Sequence, residues 1–271
     1  MKLRKYHTIL LDGDGVLWKA DRPMAGINPF FEFLVDQGIR WALLTNNNTR
    51  TARTYLEKLQ RFDIQADISS IFTSSTVTTE YLLEKYGKEA SLHVIGMDGL
   101  THTLKEAGFQ FTLGEEQPGE KVAAVVAGMD LELNHEKVKI AMRLIQAGAD
   151  FVATNTDGSY PTPDGFNPGT GMVIGALQGA SGVKPYIVGK PYPAIFQTAI
   201  CELGAEIDGT LMVGDRLETD ILGANQMGIQ TAALLSGVTT REEIHANQIQ
   251  PDFIFEDISA LHKALQEVYQ S

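Results

Sequence analysis

Four short stretches of this sequence place carboxylates, a hydroxyl and an ammonium directly after apolar runs. Asp12-Gly13-Asp14-Gly15 follows Thr8-Ile9-Leu10-Leu11, and Thr45-Asn46 follows Trp41-Ala42-Leu43-Leu44. Lys190 follows Tyr186-Ile187-Val188-Gly189, and Asp215 follows Thr210-Leu211-Met212-Val213-Gly214. Open α/β sheets bind ligands beyond the carboxyl ends of their strands, so chemistry is expected at these endings. Crowded carboxylates repel one another and raise their own pKa values unless a cation neutralises them. Oxygen-only ligation suits a hard ion such as Mg²⁺, which binds through one or two carboxylates together with a substrate phosphate. Thr45, Asn46 and Lys190 offer the hydroxyl, the N–H groups and the cation that a transferring phosphoryl group needs. At i, i+2 spacing Asp12 and Asp14 would share one face of an extended strand. Gly13 and Gly15 let the chain turn, so that one carboxylate can attack phosphorus while the other handles the leaving group's proton.

The elements that must position these residues alternate between buried strands and helices, the pattern of a parallel α/β sheet. After the first strand a helix is expected over Pro29–Gln37, with Asn28 as N-cap and Gly38 as the stop. Ala52, Tyr55, Leu56 and Leu59 recur at helical spacing after the second strand. A matching cluster closes the chain: a helix from Pro193 to Leu203, strands at Thr210–Val213 and Thr231–Leu235, capping-box spacing at Thr240–Glu243, and an amphipathic helix after Asp257. The expectation is therefore a Rossmann-like core of residues 1–78 plus 183–271, with a second α/β domain, 79–182, inserted between its halves. Thr156–Gly165 is dense in turn formers and reads as a loop. Gln146–Asn155 echoes Gln37–Asn46, each a helix end, a strand and a Thr-Asn turn, and Thr45 is preferred over Thr154 as a phosphate ligand because it belongs with the outer strands.

Composition narrows the classes. The 271 residues carry a net charge of −12, which argues against nucleic acid or an anionic membrane as partner. With 44% hydrophobic and 21% charged residues the chain can bury a full core. A single cysteine, Cys201, excludes an internal disulfide framework and is expected to pack inside a helix. The apolar run before Asp12 is too short for a secretory signal, and no stretch reaches the roughly 20 apolar residues of a membrane span, so a cytoplasmic location is expected. The six histidines lack metal-ligand spacing. Gly169-Thr170-Gly171 does not complete a dinucleotide fingerprint and reads as a helix start, while Pro191 after Lys190 excludes a Walker motif.

Asp12-Gly13-Asp14-Gly15-Val16-Leu17, Leu43-Leu44-Thr45-Asn46, Gly189-Lys190-Pro191 and Gly214-Asp215-Arg216-Leu217-Glu218-Thr219-Asp220 resemble the four ordered motifs of the haloacid dehalogenase superfamily, most closely its NagD-like, para-nitrophenyl-phosphatase-like branch. The resemblance implies a Mg²⁺-dependent phosphomonoester hydrolase acting on a small phosphorylated metabolite. Asp12 would be the nucleophile that becomes an aspartyl-phosphate, and Asp14 the general acid and then base. Asp12, the Asp14 carbonyl and Asp215 would hold Mg²⁺, supported by Asp220, while Thr45, Asn46 and Lys190 would hold the phosphoryl group. The inserted cap would set specificity, with Asp157, Gly158, Gly169, Thr170 and Gly171 as candidates, and would serve as a homodimer contact. A phosphomutase or phosphotransferase of the same superfamily is the nearer alternative, although mutases usually insert their cap directly after the first motif. A phospho-accepting receiver-like signalling module is the alternative from a different class.

Overall fold

The computed structural model describes residues 2–113, 121–162 and 165–270. The chain divides into two compact units. The first comprises Met1–Thr45, Arg53–Phe72 and Lys190–Ser271, and the second Asn46–Ala52 and Thr73–Gly189, against the 79–182 insert expected from sequence.

In chain order the elements are β1 (Thr8–Leu11), β2 (Trp18–Lys19), β3 (Arg22–Pro23), α1 (Ile27–Asp36), β4 (Arg40–Thr45), α2 (Ala52–Arg61), β5 (Ile71–Thr73) and α3 (Ser74–Tyr86). There follow β6 (Ser91–Ile95), α4 (Asp98–Glu106), β7 (Gln110–Thr112), β8 (Ala124–Ala127), α5 (His135–Gln146), β9 (Asp150–Ala153), β10 (Ser159–Thr162), β11 (Gly165–Pro168), α6 (Thr170–Ser181) and β12 (Tyr186–Ile187). The chain closes with α7 (Pro193–Glu202), β13 (Thr210–Gly214), α8 (Leu222–Met227), β14 (Gln230–Leu234), α9 (Arg241–Ala246), β15 (Phe253–Phe255) and α10 (Ile258–Gln270).

The first unit is built on a six-stranded sheet in the order β15-β14-β13-β1-β4-β5. Its central strand β1 lies parallel to β13 on one side and β4 on the other, pairing Leu11 with Val213 and with Leu43. All four residues of β1 and all five of β13 are buried. That explains why both read as continuous apolar runs rather than alternating ones. Because the three strands run the same way in register, the residues just past their carboxyl ends emerge together at one edge.

Two local expectations are corrected here. The first helix begins at Ile27, after Gly26 rather than Asn28, because the Asn28 amide donates to the Phe62 carbonyl at 2.6 Å instead of capping. Cys201 lies on α7 as expected but is exposed, on the face turned away from buried Ile195, Phe196 and Ala199. The capping box at Thr240 and Glu243 is present with both of its hydrogen bonds.

The second unit carries its own parallel sheet, β12-β9-β8-β6-β7. Ile140, Ala141 and Ile145 of α5 and Val173, Ile174 and Leu177 of α6 are buried, and all but Ile140 join one apolar cluster with Val125, Phe151 and Ala153 of that sheet. Where the sequence suggested a loop, β10 and β11 pair antiparallel, Ser159 with Pro168 and Thr162 with Gly165, and residues 163 and 164 lie outside the described set. The turn formers there punctuate a hairpin.

His93 on β6 is fully buried, its Nδ1 2.9 Å from Thr112 Oγ1 and its Nε2 without a partner. Burial pushes its pKa down from 6.5 to about 4. Between pH 6.5 and 4 the unfolded chain therefore binds the proton that the folded one refuses. Stability present above the upper value is lost as pH falls towards the lower one, by about 3 kcal/mol at full extent. In urea titrations the wild-type midpoint should drop more steeply over this window than that of His93→Leu, and parallel curves would contradict the assignment.

Candidate active site

Asp12 leaves the end of β1 with its N–H donated to Val213 O at 2.9 Å, which ties it to the neighbouring strand just before Asp215. Lys190, only 2% exposed, lies among these strand ends. Its Nζ is 2.6 Å from Asp12 Oδ1, 2.6 Å from Asp220 Oδ1 and 2.8 Å from the Leu44 carbonyl at the end of β4. One ammonium thus joins the ends of β1, β4 and the turn after β13. Burial alone would favour loss of its proton, but Asp12 and Asp220 reverse that and hold the pKa above the ordinary lysine value.

Asp220 sits in a π-helical turn, Leu217–Ile221. Such wide turns recur at functional sites, and this one brings the carboxylate back over its own strand end. Asp220 Oδ2 accepts from the N–H groups of Asp215 and Arg216 at 3.2 and 3.1 Å. Asp220 therefore orders the turn that carries Asp215 and supplies half of the charge opposite Lys190.

Asp215 is held from the far side by the loop after β14. Its Oδ2 accepts from Val238 N at 2.8 Å, and its carbonyl from Thr239 N at 3.2 Å. Ser236 Oγ donates to the Gly15 carbonyl at 2.7 Å, fastening the same loop to the first motif. The carboxylate fills the space between two glycines. A Cβ on Gly237 would lie 1.9 Å from Asp215 Oδ2, and one on Gly15, at φ +86°, would lie 2.3 Å from it. Ser236, Gly237 and Val238 were not singled out from sequence, since a Ser-Gly-Val run after a strand carries no signal of its own; only packing reveals the role.

Asp12, Asp215 and Asp220 each bring a carboxylate oxygen within 4.8 Å of the others. Asp215 Oδ1 is buried with no hydrogen-bond partner. Burial, with the neighbouring Asp220 and Asp215 charges, pushes the Asp12 carboxyl well above its usual range against the pull of Lys190. Burial and Asp220 push Asp215 up to about 7. Three crowded carboxylates against one ammonium, all-oxygen donors and an orphaned buried oxygen fit a hard divalent cation.

The remaining expected residues divide. Thr45, 4% exposed, ends β4 beside the Leu44 carbonyl that Lys190 binds. Asp14 is exposed, on the turn between β1 and β2, with Trp18 bridged to it. Asn46 opens the second unit, where its Nδ2 donates to Asp157 Oδ1 at 3.0 Å and its carbonyl accepts from Asn155 Nδ2 at 2.7 Å and Ser74 Oγ at 2.8 Å. The two echoed Thr-Asn turns thus meet, with Asn155 bracing Asn46. Asp157, Gly158, Gly169, Thr170 and Gly171 form one hydrogen-bonded turn: Gly169 N donates to Gly158 O and Gly171 N to Asp157 O, both at 2.9 Å. Thr170 opens α6 and accepts from Asn48 Nδ2 at 3.1 Å. Asn48, 1% exposed, also accepts from Met129 N at 2.8 Å and was not singled out from sequence.

A family model described as haloacid dehalogenase-like hydrolase matches residues 9–110, and a HAD-hydrolase-like model matches 187–261. The acid sugar phosphatase of Staphylococcus epidermidis is 33% identical over 257 residues, covering 95% of this chain and 97% of that protein. The chain belongs to the haloacid dehalogenase-like hydrolase family. The 5'-nucleotidase YutF of Bacillus subtilis is 32% identical, covering 95% of this chain and 98% of that protein. The structure of the p-nitrophenyl phosphatase from Archaeoglobus fulgidus superposes with a TM-score of 0.89 at 29% identity, over 96% of this chain and 99% of that one. Within the haloacid dehalogenase-like family the chain is a phosphatase of the NagD-like, p-nitrophenyl-phosphatase-like branch. No helix among its described residues is long and apolar enough to cross a membrane.

The cradle around Asp215 generates a prediction. Gly237→Ala forces the carboxylate aside, and overpacking of this kind costs about 1–3 kcal/mol. A lower melting temperature should accompany weaker binding of Mg²⁺ by calorimetry. Unchanged Mg²⁺ affinity in the variant would separate Asp215 from any cation site.

Proposed function

We propose that this enzyme is a Mg²⁺-dependent phosphomonoesterase that hydrolyses a small phosphorylated metabolite through an aspartyl-phosphate on Asp12. The observation that carries the reading is the Lys190 ammonium, buried at 2.6 Å from both Asp12 and Asp220 beside the orphaned oxygen of Asp215. Mg²⁺ held by Asp12, Asp215 and the Asp14 carbonyl would supply the positive charge that keeps Asp12 ionised and offsets the charge of the phosphoryl oxygens.

Lys190 binds Oδ1 of Asp12 and so fixes the rotation of the nucleophile. An Asp12 oxygen attacks phosphorus, the ester P–O bond breaks, and Asp14 gives its proton to the leaving oxygen. Exposure of Asp14 to solvent suits a group that exchanges protons in each cycle. In the second half, the Asp14 carboxylate takes a proton from water as its oxygen attacks phosphorus. The bond to Asp12 then breaks, releasing inorganic phosphate and restoring both carboxyl groups. Lys190 and Thr45 bind the phosphoryl oxygens, Asn46 joins them from the neighbouring turn, and Asp220 holds Lys190 and Asp215 in place.

Relatives named for a sugar phosphatase and for a 5'-nucleotidase stand at nearly equal identity, 33% and 32%, so likeness alone does not select the leaving group. We assign that selection to the second unit and its 157–171 segment.

Phosphate release from a panel of sugar phosphates, nucleoside monophosphates and p-nitrophenyl phosphate tests the mechanism. Mg²⁺ should support turnover and EDTA abolish it, and Asp12→Asn should lower kcat by at least about a thousandfold. EDTA-resistant release, or wild-type rates in Asp12→Asn, would sink the reading. Shortening the β10–β11 hairpin should reorder the panel while sparing the melting temperature of the first unit; an unchanged rank order would remove the 157–171 segment from substrate choice.

A further inference from the structure

Besides Lys190, one other lysine is buried among the described residues: Lys58 of α2, 4% exposed. A buried ammonium is costly unless its surroundings offset the lost water. Lys58 Nζ donates to the Ala20 carbonyl at 2.6 Å, lies 4.2 Å from the centroid of the Trp18 ring and is 4.0 Å from Asp21 Oδ1. All three partners belong to the β2–β3 hairpin, in which Trp18 pairs with Pro23 and Lys19 with Arg22 around the two-residue loop Ala20-Asp21. Ala20 has φ +52°, a region in which a residue with a Cβ is strained. The hydrogen bond from Lys58 fixes the carbonyl of that strained residue.

The hairpin in turn carries the catalytic loop. Trp18 is fully buried, stacked on Tyr55 at 5.9 Å and 18°, and packed against Gly13 so closely that a Cβ there would lie 2.5 Å from Cζ2 of the indole. Its backbone grips the same turn. Gly15 N donates to Trp18 O at 2.7 Å, Trp18 N donates to Gly13 O at 3.2 Å, and Trp18 bridges Asp14. Asp14 thus has its two flanking glycines held by Trp18 while its own side chain stays exposed.

We infer that Lys58 is a positioning residue for Asp14. Through the Ala20 carbonyl and the Trp18 ring it clamps the hairpin, and the hairpin sets the peptide from which Asp14 reaches the leaving-group oxygen. The inference rests on the reading of Asp14 as proton donor in the first step.

Leaving-group dependence separates positioning from general destabilisation. p-Nitrophenolate departs near neutral pH without a proton, whereas phenolate, with a conjugate-acid pKa of about 10, needs one. The two esters are otherwise similar in shape. In the intact enzyme with Mg²⁺, the ratio of kcat/KM for p-nitrophenyl phosphate to that for phenyl phosphate should rise in Lys58→Met by about tenfold. Asp14→Asn should raise the same ratio further, and Lys58→Arg, which keeps a cation over the ring, should restore part of it. A Lys58→Met enzyme that loses both activities equally, while Asp14→Asn raises the ratio, overturns the inference and leaves the mechanism standing. An Asp14→Asn enzyme with an unchanged ratio removes the proton-donor reading itself, and the inference with it. Should Lys58→Met fail to fold, Trp18→Phe narrows the ring against Gly13 while keeping an aromatic core. It should raise the ratio too, and an unchanged ratio in Trp18→Phe rejects the positioning role.

Discussion

The bond between the Lys190 ammonium and two carboxylates is the constraint on which the first unit depends. Asp12 and Lys190 are separated by 178 positions in sequence, yet they meet at 2.6 Å with the Leu44 carbonyl closing the third side. That geometry exists only when the ends of β1, β4 and the segment after the second unit coincide. The parallel register of β1 with both neighbours provides the coincidence. Two opposite charges 4 Å apart interact by about 4 kcal/mol at an effective dielectric of 20, and each pair here is closer. Removing any one partner would leave a buried charge without its complement, a larger penalty than the pair's own contribution. The first unit is therefore assembled from both ends of the chain around a bond that neither end can form alone.

Charge balance and shape constrain the same residues. Three carboxylates with oxygens within 4.8 Å of one another leave room only for a close backbone, and Gly15 and Gly237 both lie against Asp215. Val238 N–H then satisfies one oxygen of Asp215 and leaves the other buried and open. Asp220 is treated differently: both of its oxygens are engaged, one with backbone N–H groups and the other with Lys190. Two aspartates of one motif, five positions apart, thus have distinct electrostatic duties, one turned to the open space of the cluster and the other spent on its frame.

Much of this was legible in the sequence, for a physical reason. Parallel strands buried on both faces read as unbroken apolar runs, and a polar residue after such a run stands at a sheet edge; Asp12, Thr45 and Asp215 were found that way, whereas the run before Lys190 forms β12, a half-exposed edge strand of the second unit's sheet. What was not legible were side-chain partners set by tertiary contact. Asn28 had the type and place of an N-cap, but the Phe62 carbonyl claims its amide. The prolines and glycines of 156–165 signal turns without saying whether strands join them, and Ser159–Pro168 became a ribbon. Cys201 was assigned to a helix interior by its apolar neighbours, yet only its angular position on α7 decides its exposure. Lys58 has the composition of an ordinary surface helix residue, and nothing local announces that Ala20 and Trp18 enclose it.

The two buried lysines show how an acidic protein can serve an anionic substrate. With a net charge of −12 the chain offers phosphate no general attraction, so any favourable field must be local. Lys190 supplies one positive charge, but Asp12 and Asp220 already claim it, and burial together with the neighbouring carboxylates pushes the pKa values of Asp12 and Asp215 up; three carboxylates against one ammonium leave a deficit of positive charge. A divalent ion held there would meet that deficit and leave the cluster near neutrality, with the Lys190 donors still aimed at the nucleophile. Lys58 directs its charge at the Ala20 carbonyl and the Trp18 ring, with Asp21 at 4.0 Å. Its proposed effect is mechanical: it fixes a strained hairpin whose Trp18 grips the backbone on both sides of exposed Asp14. The proton donor proposed for the leaving oxygen needs a fixed peptide beneath it, and the hydrogen bonds of Gly13 and Gly15 with Trp18 fix the peptide of Asp14.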